Sequence, residues 1–122
     1  CAPTTEAAVG GAPWHRGGVI RRSAGGGGKG WQTGPWDCAV PVALGFADCG
    51  VDDPHHHEEM YEIYLVARGQ STAVVDGEAV PLQAGDLLVV EPGEEHTPVA
   101  SSEDYLHFVV QAPFVVGDKR SS

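Results

Sequence analysis

The sequence predicts an all-β protein, a sandwich or barrel of the jelly-roll type. The chain has 17 Gly and 9 Pro among 122 residues, a composition that suits short strands joined by tight turns. Runs of β-forming residues recur at short intervals and are separated by turn signals, as in sandwiches and barrels. No segment carries a 3.6-residue apolar stripe over three turns, so the pattern does not favour helices. The length is that of a single domain.

The predicted strands follow one another closely after Trp36. They cover residues 39–46, 60–67, 72–75, 78–82, 87–90, 105–111 and 114–116. Asp76 and Gly77 lie between the third and fourth runs and predict a two-residue hairpin, because Gly tolerates the positive φ of such a turn. Residues 84–86 and 91–93 carry further turn signals. An additional short strand is predicted at Val19 and Ile20.

Two stretches of small residues precede these strands. Residues 1–17 are rich in Ala, Gly, Pro and Thr and predict a flexible N-terminal arm, which leaves residues 18–122 as the barrel domain. Residues 25–28 are four consecutive glycines and predict a flexible loop. They lack the Lys-Ser or Lys-Thr pair that completes a phosphate-binding loop, so such a loop is not predicted here.

The charge balance is strongly acidic and limits the classes of partner. The formal net charge is −10, from 17 acidic and 7 basic residues. A phosphate backbone would be repelled, so nucleic acid is not an expected partner. An anionic small substrate is not excluded, because a bound divalent metal would dominate the field around it. A membrane span is not expected either, since no apolar run approaches the roughly 18 residues that a span needs.

The cysteines bear on the cellular compartment. Cys1, Cys38 and Cys49 are an odd number and lack CxxC spacing. This pattern does not predict a disulfide framework and favours a cytoplasmic protein. The position of Cys1 leaves an alternative open, a lipid-anchored periplasmic protein, because mature bacterial lipoproteins begin with cysteine.

The most informative motif is a group of metal-ligand side chains. His55 and His57 are separated by one residue, so on a strand they point to the same face. Glu62 follows five residues after His57, which is the wrong parity for one uninterrupted strand. A bulge or turn near residues 58–59 is therefore required to bring Glu62 to the same site. Imidazole suits Zn, Fe, Ni and Cu, while a carboxylate favours Mn or Fe.

This motif and a second one downstream resemble the two motifs of the cupin family. The first has the form G-x5-HxH-x3,4-E-x6-G and is matched by His55, His57, Glu62 and Gly69, with Gly50 one residue too close to His55. The second has the form G-x5-P-x-G-x2-H-x3-N. It is matched by Gly85, Gly93 and His96, with Pro92 displaced by one and Ala100 in place of the final Asn. The resemblance covers residues 36–116 or thereabouts, and the short spacing between the motifs is similar to that of microbial single-domain cupins.

The resemblance implies a double-stranded β-helix, or jelly-roll barrel, with His55, His57, Glu62 and His96 as ligands of a divalent transition metal (Fe, Mn, Zn, Ni or Cu). Similar cupins include dioxygenases, decarboxylases, isomerases, lyases and polyketide cyclases. The expected function is therefore a metal-dependent enzyme that acts on a small polar organic molecule. A module that binds a metal or metabolite without turnover is the alternative. A different register, with His56 and Glu58 as ligands, leaves the second motif unexplained.

Further candidates lie on two of the predicted strands. Tyr105 and His107 alternate with apolar residues and are expected to face the barrel interior, where either could transfer a proton or form a hydrogen-bonded core pair. Tyr64 and Arg68 share a strand face with Glu62. Tyr64 is a further catalytic candidate, and Arg68 could bind a substrate carboxylate or form a salt bridge at the barrel mouth.

The other face of the same strand bears on assembly. Ile63 and Leu65 are apolar and are expected to point outward, so they could be buried between two copies of the chain. The sequence therefore predicts a homodimer.

Overall fold

The structure is a computed structural model that describes residues 21–24, 28–48 and 54–121. These residues contain ten strands and no helix. The strands are β1 (Lys29–Thr33), β2 (Ala43–Ala47), β3 (His55–His57), β4 (Tyr61–Arg68), β5 (Gln70–Val75), β6 (Glu78–Gln83), β7 (Leu87–Val90), β8 (His96–Ser101), β9 (Leu106–Ala112) and β10 (Lys119–Ser121). The predicted arm, the Val19–Ile20 strand and most of the four-glycine loop lie outside the described residues.

The strands form two antiparallel five-stranded sheets. The first has the order β1-β2-β9-β4-β7 and the second the order β10-β3-β8-β5-β6. Most neighbours in each sheet are distant in sequence, because successive strands alternate between the sheets except at the pairs β1–β2 and β5–β6. This connectivity is that of a jelly-roll barrel, so the predicted fold class is confirmed.

The predicted hairpin at Asp76 and Gly77 is confirmed. Val75 pairs with Glu78 across β5 and β6, which leaves two residues in the turn. Asp76 has a φ of 47° and Gly77 a φ of 82°, so both adopt the left-handed conformation that a two-residue hairpin of type I′ needs.

The strand predictions differ from the structure in three places. Residues 114–116 form no strand: Phe114 packs edge to face on Trp36 with ring centroids 5.4 Å apart, and the strand forms at Lys119–Ser121 instead. The strand predicted at 39–46 begins at Ala43, and Pro41 lies outside it. Strands β1, β3 and β8 were not among the predicted runs. Pairing with neighbouring strands, rather than β-propensity alone, decides these short elements.

The barrel interior is apolar at one end and polar at the other, as β4 shows. Val66 is buried near one end of this strand and packs in the core with Ala73, Leu82 and Tyr105. Glu62 is equally buried near the other end. A buried carboxylate needs partners for its charge, so this end of the barrel is where a functional site is expected.

None of the described residues forms a helix long and apolar enough to cross a membrane.

Candidate metal centre

Strand β3 carries the first two predicted ligands. His55 is 5% exposed and His57 is 2% exposed, while His56 between them is partly exposed. The alternation of a strand therefore turns the outer two imidazoles into the barrel, as predicted. The alternative register is contradicted, because the carboxylate of Glu58 is exposed and lies 3.4 Å from Nε of Arg120.

A bend between β3 and β4 brings Glu62 to the same site. The carboxylate of Asp118 accepts hydrogen bonds from the backbone N–H groups of Glu58 (3.2 Å), Glu59 (3.0 Å) and Met60 (2.9 Å). The chain thereby passes from one sheet to the other, and Glu62 faces β3 across the barrel. The predicted turn at 58–59 is confirmed, and Asp118 is a structural residue of the site that sequence analysis missed.

The bend also perturbs Asp118 itself. Burial raises the pKa of this carboxyl, but the three backbone N–H donors outweigh burial and hold the pKa below its ordinary value. The carboxylate is therefore the form that the folded chain favours.

His96 begins β8 and lies beside His55, its partner in the strand register. Its Nδ1 is 3.0 Å from the carbonyl oxygen of Glu94. An imidazole nitrogen that faces a carbonyl oxygen carries the proton, so Nδ1–H donates and Nε2 is directed at the cluster. Nε2 lies 2.8 Å from Oε1 of Glu62. Burial lowers the pKa of His96, but the contacts with Glu62 and the Glu94 carbonyl outweigh burial and raise it above its ordinary value. Loss of the Nε2 proton would leave a lone pair directed at the cluster, as a metal ligand needs.

The four predicted ligands are brought together. One ligand atom from each of His55, His57, Glu62 and His96 lies within 4.8 Å of all the others, and all four residues are buried. Burial raises the pKa of Glu62, but its contacts with the three imidazoles and Tyr64 keep that pKa well below its ordinary value. The site therefore offers one carboxylate and three imidazoles.

The ring nitrogens of His57 indicate whether the four residues fit a metal ion. Both of its ring nitrogens are buried and form no hydrogen bond with the described residues, although Nε2 lies 3.2 Å from Oε2 of Glu62. A buried polar atom without a hydrogen bond is unfavourable unless another partner satisfies it. Three nitrogen donors and one oxygen donor suit a divalent transition metal. The four residues can therefore bind such an ion.

Gln111 is a second residue that sequence analysis missed. It lies on β9 opposite Glu62, and its Nε2 donates to Oε2 of Glu62 at 2.7 Å. The signal was available in the sequence, because the alternation that turns His107 inward reaches Gln111 four residues later.

Tyr64, Tyr105 and His107 lie inside the barrel next to the cluster. The hydroxyl of Tyr64 donates to Oε1 of Glu62, and its ring centroid is 5.0 Å from that of His107. The hydroxyl of Tyr105 lies 2.5 Å from Nδ1 of His107. These three side chains and His96 line a narrow interior cavity. Their predicted position near the site is confirmed, and their catalytic role stays a prediction.

Burial sets the protonation states of this group. It lowers the pKa of His107 to about 4, although the charge of Glu62 acts in the opposite direction. It raises the pKa of Tyr105 to about 12. At neutral pH the Tyr105 hydroxyl therefore donates to Nδ1 of a neutral His107, whose remaining proton is on Nε2.

Arg68 lies at the opposite end of β4 from Glu62. The two positions are six residues apart, which corresponds to roughly 20 Å along a strand. Arg68 is exposed, and its Nε donates to the carbonyl of Asp104 at 3.0 Å. Its role as a substrate anchor stays a prediction that these contacts do not support.

Comparison with known proteins agrees with this geometry. Residues 47–111 match the family model of the cupin domain. The chain is 33% identical over 55 residues to an oxalate-binding protein from Thermotoga maritima, over 45% of this chain and 46% of that protein. It thus spans about half the length of this curated relative.

Two solved structures are similar in fold. One is a nucleoside dehydratase, at 26% identity and a TM-score of 0.57 over 66% of each chain, and the Streptomyces protein has also been solved with uridine. The other is KdgF from Halomonas sp., at 25% identity and a TM-score of 0.59 over 72% of this chain and 79% of the other. With the family match spanning more than half of its length, the chain belongs to the cupin family.

Proposed function

We propose that this chain is a metal-dependent enzyme that transfers protons on a small polar organic molecule bound inside the barrel. The observation that carries the proposal is the continuous contact from Glu62 through Tyr64 to His107, which joins the candidate metal centre to the lining of the interior cavity. Titratable groups with shifted pKa values beside a candidate metal centre are a feature of active sites, which supports the proposal.

The ligands have a defined part in this proposal. His55, His57, Glu62 and His96 would hold the ion, and the hydrogen bonds of Gln111 and Tyr64 would orient the carboxylate among them. When bound, a divalent ion would supply a Lewis acid that polarises an oxygen of the substrate and acidifies a neighbouring C–H or O–H group.

The interior side chains would move the proton. His107 is neutral at physiological pH and accepts a hydrogen bond from the Tyr105 hydroxyl at Nδ1, so its Nε2–H would donate to a substrate oxygen. A proton passed from Nε2 to the substrate would be replaced at Nδ1 by the Tyr105 proton. The ring of Tyr64 packs against the ring of His107, and its hydroxyl donates to Glu62. These groups favour the lyase and isomerase types of cupin chemistry over the oxygenase type. The similarity to a nucleoside dehydratase supports the same choice, since dehydration removes a proton and a hydroxyl group.

Metal content and hydrogen exchange test the proposal. Purified protein without a histidine tag should hold about one divalent ion per chain, and His57→Ala should lose it. Metal-loaded protein incubated in D₂O with a panel of hydroxy acids, keto acids, sugars and nucleosides should place deuterium on carbon in at least one compound, as NMR would show. His107→Asn should slow this exchange about 100-fold or more. Protein without metal, or exchange unaffected by His107→Asn, would sink the proposal.

A binding module is the second candidate. The Thermotoga maritima relative is named an oxalate-binding protein, and the interior cavity beside the candidate metal centre is narrow. A small anion on the metal would suit so narrow a space better than a large substrate. Tight binding of such an anion, with no product after long incubation, would favour this candidate over the enzyme.

A further inference from the structure

The register of the edge strand β10 places two basic residues on opposite faces of its sheet. Lys119 pairs with His57, and Arg120 pairs with His56. Directly paired residues on neighbouring strands project from the same face, with Cβ atoms about 5 Å apart. Because His57 points into the barrel, Lys119 lies on the inner face, whereas Arg120 lies on the outer face with His56.

The surroundings of the two residues agree with this assignment. Nε of Arg120 is 3.4 Å from the exposed carboxylate of Glu58, outside the barrel. Lys119 is exposed although it lies on the inner face. A side chain can be both when it lies on an edge strand, and β10 is the last strand of its sheet. Lys119 therefore lies at the exposed edge of the sheet, in the same cross-strand row as the candidate metal ligand His57.

Lys119 brings a positive charge to a strongly acidic chain. The formal net charge of −10 would repel an anion from the site. A cation in the same cross-strand row as His57 offsets part of that repulsion.

We propose that Lys119 makes this site selective for an anionic substrate, whose carboxylate or similar oxyanion its ammonium binds while another oxygen lies at the candidate metal centre. This inference rests on the proposed function and adds a substrate class to it. A carboxylate is a suitable partner because an ammonium binds it through a charge-assisted hydrogen bond. The flexible four-carbon stem lets the head group reach past the strand edge.

Oxalate is a suitable probe because its two carboxylates can occupy both positions. We would load the protein with Mn²⁺ and measure oxalate binding by titration calorimetry in Lys119→Met, Lys119→Arg and Arg120→Met. Loss of one charge-assisted contact should weaken oxalate binding about tenfold in Lys119→Met. Lys119→Arg should keep most of the affinity because it keeps the charge. Arg120→Met is the matched control and should bind oxalate as the wild type does.

Manganese affinity, measured separately, distinguishes the possible failures. It should be unchanged in Lys119→Met, since Lys119 is not a ligand. Wild-type protein that binds no metal would overturn the proposed function, and this inference with it. Three results would overturn the inference alone while wild-type protein binds Mn²⁺. They are no oxalate binding by the wild type, an unchanged oxalate affinity in Lys119→Met, and an equal loss of oxalate affinity in Lys119→Met and Arg120→Met.

Discussion

Gln111 and Glu62 face each other across the β4–β9 ladder, and Nε2 of Gln111 donates to Oε2 of Glu62 at 2.7 Å. This contact holds one oxygen of the carboxylate, while the other oxygen faces His96 and Tyr64. The amide thereby helps to fix the rotation of the carboxylate, together with the contacts at its other oxygen. Such orienting partners often control the affinity of a metal site.

Gln111→Leu should lower the metal affinity of the site about 10- to 100-fold, because the substitution removes one of the two hydrogen bonds that orient Glu62. The affinity would be measured by competition with a chelating dye. Gln83→Leu, which changes an exposed glutamine on β6, is the matched control and should leave the affinity unchanged. Equal affinities in Gln111→Leu and the wild type would show that the contact does not orient the ligand.

Asp118→Ala should destabilise the protein by about 2 to 4 kcal/mol, since three backbone N–H groups lose a charged acceptor. Urea denaturation at pH 7 would measure this change. Asp86→Ala is the control and should cost about 1 kcal/mol, because Asp86 accepts a single exposed backbone N–H, that of Gln83.

The same substitution predicts a pH dependence. The pKa of Asp118 in the folded chain lies below its ordinary value, so its contribution is present above the unfolded pKa of about 3.9 and is lost as pH falls through the folded pKa. The difference in stability between wild type and Asp118→Ala should therefore shrink below about pH 4. A difference that stays constant there would count against the carboxylate as the stabilising form.

His107 should make the metal-free protein sensitive to mild acid. Its pKa is about 4 in the folded chain and about 6.5 when unfolded, so the unfolded chain binds more protons between these values. Stability should fall by about 1 to 2 kcal/mol between pH 7 and pH 5 from this residue. Urea denaturation of wild type and His107→Asn at both pH values would reveal the difference. An identical loss in the two proteins would refute the buried neutral state.

The outer face of the first sheet should form a homodimer. Leu65 pairs with Leu87, and Ile63 pairs with Val89, so apolar side chains adjoin on this face. Leu65, Leu87 and Val89 are 39%, 56% and 45% exposed, which favours burial against a second copy. Light scattering should give a dimer mass for the wild type and a monomer mass for Leu65→Glu. Val99→Glu, on the other sheet, is the control and should remain dimeric; a monomeric wild type would end the proposal.

Much of the candidate site could be predicted from the sequence because its signals are local. Alternation along a strand was enough to turn His55 and His57 inward together. The parity of Glu62 was enough to require a bend, and Asp76 with Gly77 was enough to define a hairpin. The spacing of short strands indicated a sandwich or barrel of the jelly-roll type. The resemblance to cupin motifs added His96 as the fourth ligand and implied a double-stranded β-helix.

The tertiary structure decided which distant residues support that site. Asp118 shapes a bend that lies 58 to 60 residues earlier in the chain, and Gln111 orients a carboxylate 49 residues away. Lys119 lies on the inner face because β10 pairs with β3, and the sequence did not predict a strand at β10. The physical reason is that ligands can be recognised from residue type and from the alternation of side chains along a strand. The residues that hold them in place depend on strand register, which is set between segments far apart in sequence.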